Sequence, residues 1–190
     1  MIDADWFAVP ATVLARRLLG MRLVHDDGEQ VRGGRIVEVE AYQGPRDRAC
    51  HARFGPTERT RSLFGPPGRA YVYLIYGMYD LMNVTAYGEG RGHAVLIRAL
   101  ELPDELRGDG PGRLTRALGI TRAHDGLALF DDGALRLEPG VRPRRIGVSA
   151  RVGVGYAGSH ADRKWRFFDA DSRAVSRPSP RMIGQGLLGR

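Results

Sequence analysis

The sequence predicts an α+β fold on a mostly antiparallel sheet, and three observations carry that expectation. Short segments rich in Val, Ile and aromatic residues recur between Gly, Pro and Asp clusters, as strands and turns do. Only Pro10 to Leu19 and Pro111 to Leu118 carry an apolar spacing of helical period. The first two strand candidates are joined by Asp26-Asp27-Gly28, a hairpin turn that favours antiparallel pairing.

Taken in order, PATVLARRLL sets Val13, Leu14, Ala15, Leu18 and Leu19 near one helical face, with Thr12 as a cap and Gly20 as a stop. Met21 to His25 and Gln30 to Tyr42 read as strands, the second interrupted by a flexible Gly33-Gly34. Arg46 to Arg69 is a long polar loop with Arg53, Arg59, Arg61 and Arg69 among prolines and glycines, and loops of that length are functional or disordered. Ala70 to Tyr76 is an aromatic strand with Tyr71 and Tyr73 on one face and Tyr76 on the other, and Leu81 to Ala86 returns beside it.

His93 to Leu100 reads as a buried strand that carries Arg98 among apolar neighbours, where a charge must be paired or wet. Gly119 stops the second helix. Leu127 to Phe130, Ala134 to Leu137, Arg145 to Ser149 and Lys164 to Phe168 complete the strand candidates. RVGVGYAG, from Arg151 to Gly158, is no dinucleotide loop, because it lacks the GxGxxG spacing and an acidic residue about 20 positions on. One domain is expected over residues 1–176, with 177–190 a mobile basic tail.

A chain of 190 residues suits one domain that buries about 70% of its unfolded surface. No apolar run approaches the roughly 18 residues of a spanning helix, and MIDADWFAVP lacks the apolar core of a signal peptide, so a cytoplasmic, nucleoid-associated protein is expected. The single cysteine excludes an intramolecular disulfide and leaves no thiol cluster for structural zinc. A net charge of +7 favours a polyanionic partner, nucleic acid first among them. Nearly all of the basic charge is arginine, Lys164 being the one lysine, so amines for Schiff-base chemistry are scarce.

The stretch with most chemistry is RIVEVEAYQGPRDRACH, from Arg35 to His51. Alternation puts Val37, Val39 and Ala41 on one face and Ile36, Glu38, Glu40 and Tyr42 on the other. A turn signal, Gly44-Pro45-Arg46-Asp47, then leads to Cys50-His51, so a carboxylate, a ring and an imidazole converge at one strand end. The plain alternative is a half-buried strand with a solvated acidic face.

In this order EAYxGPxDxAxH, GxxYVYxIYGMYxxxN, AVLIRALE, GPGRLTRALGI and RVGVGYAG resemble the alkyladenine (3-methyladenine) DNA glycosylases, from about Leu14 to Ser176. The resemblance implies a curved antiparallel sheet without a helix-hairpin-helix. It implies a monomeric, monofunctional N-glycosylase that needs no metal or cofactor and acts on double-stranded DNA bearing alkylated purines. By position, it implies that Glu40 is the general base that activates water, assisted by Arg98 and the Val152 carbonyl. Tyr42 and Tyr73 would sandwich the flipped base, His51 would complete the pocket, Asn83 would screen against the guanine amino group, and Tyr76 would wedge into the duplex.

The chemistry fits these residue types on its own terms, because a base must leave the stack to be reached and aromatic walls repay part of that cost. Alkylated purines already carry positive charge, so one carboxylate suffices. The sequence departs from the family in a shortened connection between Leu100 and Gly110, in Lys164-Trp165 where a proline-containing dipeptide is usual, and in Cys50, which narrows the pocket. Two other functions fit the residues: a magnesium-dependent nuclease using Glu38, Glu40 and Asp47, and a non-catalytic DNA-binding module.

Overall fold

The computed structural model describes residues 2–103 and 105–176. Eight strands form one antiparallel sheet: β1 (Arg22–Asp26), β2 (Val31–Gln43), β3 (Ala70–Ile75), β4 (Tyr79–Ala86), β5 (His93–Glu101), β6 (Leu135–Glu138), β7 (Ile146–Ser149) and β8 (Arg166–Asp169). Three helices flank it: α1 (Ala4–Phe7), α2 (Ala11–Leu18) and α3 (Pro111–Leu118). The α+β expectation holds.

The sheet runs β3-β4-β5-β2-β1-β6, with β8 on β2 and β7 on β8. The 13-residue strand β2 is its axis. Along one edge β2 pairs with β5, and along the other it pairs first with β1 and then, at Glu38 to Glu40, with β8. Both carboxylates therefore stand in the middle of the sheet.

Alternation divides the two faces. Val72, Met82, Val84, Val95 and Ile97 enter the core with Leu14 and Leu18 of α2 and Leu114 and Leu118 of α3. Tyr71, Tyr73, Asn83, Ala94 and Leu96, one position away on the same strands, face the opposite side. The β2 face differs from simple alternation, since Ile36 joins the core with Val39 and Ala41. The β2–β5 ladder passes over Val37 on one strand and Arg98 on the other, so parity flips and is restored. The second bulge leaves Arg98 unpaired in the ladder, on the face of Ala94 and Leu96 where the carboxylates stand, and turns Leu100 into the core.

Other expectations are corrected. No Thr12 cap hydrogen bond forms, and Pro10 opens α2, its missing N–H costing nothing there. Gly33 and Gly34 are not a flexible break, because β2 runs through them and pairs with Val24 and Leu23. A β-carbon on Gly34 would stand 2.4 Å from the Glu101 carbonyl oxygen, so the residue admits close strand contact. Leu127 to Phe130 makes one isolated bridge, Arg69 to Ala128, rather than a strand: the Leu127 carbonyl accepts from Ala70, and Leu129 donates to Gly68 and accepts from Leu137. The 46–69 loop is organised by short 3₁₀ turns, including a reciprocal Thr57–Thr60 cap. The connection after β5 carries no helix among the described residues and closes on itself when the Leu100 N–H meets the Gly108 carbonyl. The basic tail lies outside the described residues.

Gly34→Ala should lower stability by about 1–3 kcal/mol through this backbone clash. Urea unfolding would measure it, and an unchanged midpoint would show that the ladder yields freely.

Candidate active site

A cavity of about 470 Å³ opens on the face away from the core. Tyr42, His51, Tyr73, Tyr76, Asn83, Arg98 and Val152, read from the sequence as site residues, all line it. Glu40 does not. It is fully buried one side chain behind the wall, and three lining residues touch it. Its Oε2 accepts from the Tyr42 hydroxyl at 2.9 Å, its Oε1 accepts from the Val152 N–H at 2.7 Å, and Arg98 Nη1 lies 3.4 Å from the same Oε1. The contact from Val152 is its amide rather than the carbonyl named from the resemblance.

The aromatic walls follow from β3 alternation. Tyr71 and Tyr73 lie with ring centroids 5.3 Å apart, and the His51 ring meets Tyr73 edge-on at 4.6 Å. His51 Nδ1 is 3.0 Å from the Tyr71 hydroxyl. Burial, and then the nearby Arg59 and Arg53 charges, lower the His51 pKa and favour the neutral ring. Burial raises both Tyr71 and Tyr73, so their hydroxyls stay protonated. Tyr42 is raised well above its ordinary value by burial and then by the Glu40 charge.

Asn83 is buried and donates from Nδ2 to the Tyr71 carbonyl at 3.1 Å, leaving Oδ1 as its remaining polar atom. Cys50 sits in the wall as an inert thiol, donating to the Gly92 carbonyl and pushed up to about 11 by burial.

Arg98 is answered by a second network. Its Nε donates to Glu38 at 2.8 Å, and Arg166 Nε donates to the same Glu38 oxygen at 2.7 Å. Ser176 adds its hydroxyl at 2.8 Å and its N–H at 2.6 Å. Glu38 is fully buried and Arg166 nearly so, making two carboxylates and two guanidiniums a neutral buried set. Arg166 and Ser176 were not singled out from the sequence, and they lie 128 and 138 positions from Glu38, so local pattern carries no signal of them.

A third pair holds the Tyr42 ring. Arg151 grips Asp47 through two hydrogen bonds, donates to the Ala41 carbonyl at 3.0 Å, and lies 4.7 Å over Tyr42 and 5.0 Å over Trp165. Each carboxylate of the nuclease reading is thus engaged by arginine, Glu38 by Arg98 and Arg166, Glu40 by Arg98, and Asp47 by Arg151. Among the described residues no three His, Cys, Asp or Glu side chains converge as metal ligands.

At the mouth, Ile75-Tyr76-Gly77-Met78 forms a tight turn closed by Met78 N–H to the Ile75 carbonyl. Tyr76 has φ +54° and is 84% exposed, a conformation a tyrosine rarely holds and an exposure an aromatic ring rarely keeps. Across the rim, the Arg53 guanidinium lies 4.3 Å from the exposed Phe54 ring and 5.5 Å from Tyr156, neither ring foreseen as part of the site.

A flat aromatic guest would fit between such walls, and the arginines around the mouth would meet a polyanion that presents it. These features define a protein that handles a base within nucleic acid. The family model described as methylpurine-DNA glycosylase matches residues 5–173. Proteins named "Putative 3-methyladenine DNA glycosylase" match along nearly their whole length. One from Myxococcus xanthus is 50% identical over 185 residues, covering 94% of this chain and 95% of its own. One from Anaeromyxobacter dehalogenans (strain 2CP-C) is 52% identical over 179 residues, covering 92% and 86%. One from Methanocella arvoryzae is 42% identical over 195 residues, covering 95% and 98%. The chain belongs to the methylpurine-DNA glycosylase family, and its activity is that of a DNA N-glycosylase, a hydrolase of DNA repair. No helix among the described residues is long and apolar enough to cross a membrane.

Burial alone would raise Asp47, but the Arg151 hydrogen bonds and charge reverse it and leave the carboxyl below its usual value. A depressed carboxylate stabilises the fold above its unfolded pKa of about 4 and loses that contribution as pH falls through the lower folded value. Asp47→Asn should therefore cost about 3 kcal/mol or more at pH 7 by leaving Arg151 without its counter-charge. The deficit should narrow at pH 3, below the unfolded pKa, where the unfolded carboxyl binds a proton that the folded one resists. Urea titrations at the two pH values would test this, an equal deficit at both being the contrary result.

Proposed function

We propose that the protein flips alkylated purines out of duplex DNA and hydrolyses the N-glycosidic bond with a water activated by Glu40, leaving an abasic site. The observation that carries this reading is the attachment of Glu40 to three groups of the cavity wall, Tyr42, Arg98 and Val152. A carboxylate held from three sides cannot wander, and a water entering among those groups is within its reach. The charge that develops at the sugar carbon then forms close to a fixed anion.

Extrusion costs a few kcal/mol and leaves a gap in the stack. Tyr42 and Tyr73 would take the base between them, each ring contributing about 1–3 kcal/mol by stacking. His51 would complete the pocket with a polar contact. Tyr76, already projected from a strained turn, would fill the gap. Asn83, immobilised against the Tyr71 carbonyl, would screen out guanine by clashing with its exocyclic amino group.

A positively charged alkylated purine leaves without an acid, which fits a site with one carboxylate near the wall. Lys164 is exposed and absent from the cavity lining, so among the described residues no amine is placed to attack the sugar. On this reading the enzyme is monofunctional and acts as a monomer without metal or cofactor. The nuclease reading is disfavoured because Glu38, Glu40 and Asp47 are each engaged by arginine.

Glu40→Gln should abolish release of 3-methyladenine from alkylated duplex DNA while affinity for the damaged duplex stays within a few-fold, and near-wild-type turnover would remove Glu40 from the mechanism. Tyr76→Ala should weaken capture of a lesion duplex about tenfold, the equivalent of one stacking contact of about 1.4 kcal/mol. A fluorescence titration with lesion and undamaged duplexes measures it, and equal losses on both would contradict a wedge.

A further inference from the structure

We infer that Glu38, anchored by Arg166 and Ser176, is a positioning residue that draws Arg98 away from Glu40 and so keeps Glu40 available as a proton acceptor. The inference rests on the reading of Glu40 as the base and adds what controls it. The two carboxylates project from the same face of β2, two positions apart, with one guanidinium between them. That guanidinium is not shared evenly. Arg98 Nε is hydrogen bonded to Glu38 at 2.8 Å, whereas its Nη1 stands 3.4 Å from Glu40 without forming a hydrogen bond.

A guanidinium closing fully on Glu40 would engage the oxygen that must take a proton from water, and would hold that oxygen's electrons in a charge-assisted bond. Glu38 prevents this by competing for Arg98, and it competes well because it is itself fixed. Arg166 Nε donates to Glu38 from β8, and Ser176 donates twice, at 2.6 Å and 2.8 Å. Ser176 also receives Arg98 Nη2 at 3.3 Å and Arg166 Nη2 on its carbonyl at 3.3 Å, so one residue ties both guanidiniums to the anchor.

The groups that face Glu40 from every side are then accounted for. Arg98 comes from β5, Arg166 from β8 as the ladder partner of Glu40, Tyr42 and Glu38 from β2, Tyr73 from β3, and Arg151 and the Val152 N–H from the segment after β7. Of the three cations, Arg151 is committed to Asp47 by two hydrogen bonds and Arg166 to Glu38 and Ser176, which leaves Arg98 as the one standing between the two carboxylates. Its position is set by Glu38.

The test is the pH dependence of single-turnover excision of 3-methyladenine by the full chain, for wild type, Glu38→Gln, Ser176→Ala and Glu40→Gln. With the Glu38 charge removed, Arg98 is free to close on Glu40, and the acid limb of the profile should move about one pH unit lower with a reduced plateau, the size expected when an opposite charge comes into contact. Ser176→Ala, which keeps every charge, should move the limb the same way by less. It also decides the matter should Glu38→Gln not fold.

An acid limb that is present in wild type, lost in Glu40→Gln and unmoved in Glu38→Gln and Ser176→Ala would overturn the inference while leaving Glu40 as the base. A limb that moves upward in either variant would overturn it as well. Full activity in Glu40→Gln would instead bring down the reading beneath it. Loss of the Glu38 charge would by itself lower the limb in Glu38→Gln, so Ser176→Ala, which keeps every charge, decides: a merely structural role would there lower the amount of active enzyme at every pH and leave the limb where it stands, which overturns the inference.

Discussion

Two carboxylates buried two residues apart in the centre of a sheet are the constraint on which the rest of this structure depends. Each would be expelled or neutralised by protonation in an apolar interior, and both lie next to each other on one face. Two guanidiniums make the arrangement tenable, brought from β5 and β8 on either side of β2. Arginine is suited to this duty, since its planar fork can reach two acceptors at once and it stays charged when buried. A chain so rich in arginine has its cations at work inside the fold as well as on its surface.

The same constraint explains the irregularity of the central ladder. A regular ladder would keep Arg98 on the carboxylate face with Ala94 and Leu96, but it would send Leu100 and, on β2, Ile36 to that face as well. The ladder instead passes over Arg98, and over Val37 opposite, so the guanidinium keeps the carboxylate face while Ile36 and Leu100 turn into the core. Apolar packing and the charged set are thus accommodated in one sheet by paired bulges.

What the sequence disclosed and what it concealed divide along these lines. Period-2 alternation in AYVYLIY foretold that Tyr71 and Tyr73 share a face, and HAVLIRAL foretold that Arg98 would need a partner. The helix over Pro111–Leu118 and its Gly119 stop were legible because proline and left-handed glycine act locally. Ile36 was misplaced because a bulge leaves no mark in a run of valines and glutamates. Arg166 and Ser176 were invisible because their roles exist only once the end of the described chain returns to β2. Membership of the DNA glycosylase family was legible through motif order, whereas the indirect placement of Glu40, behind the wall, was not.

The rigidity of this interior has its counterpart at the mouth. Residues that hold or surround Glu40 come from strands and from backbone locked by Asp47 and Arg151, so their geometry survives the approach of a large ligand. Tyr76 is placed in the opposite way, on a two-residue turn whose left-handed φ disfavours a side chain by about 1 kcal/mol or more. Relaxing that turn would cost the hairpin its closure between Ile75 and Met78. The ring is held out in solvent by the very pairing of β3 with β4 that also aligns Tyr71 and Tyr73, so one hairpin fixes both the walls of the cavity and the aromatic tip beside it.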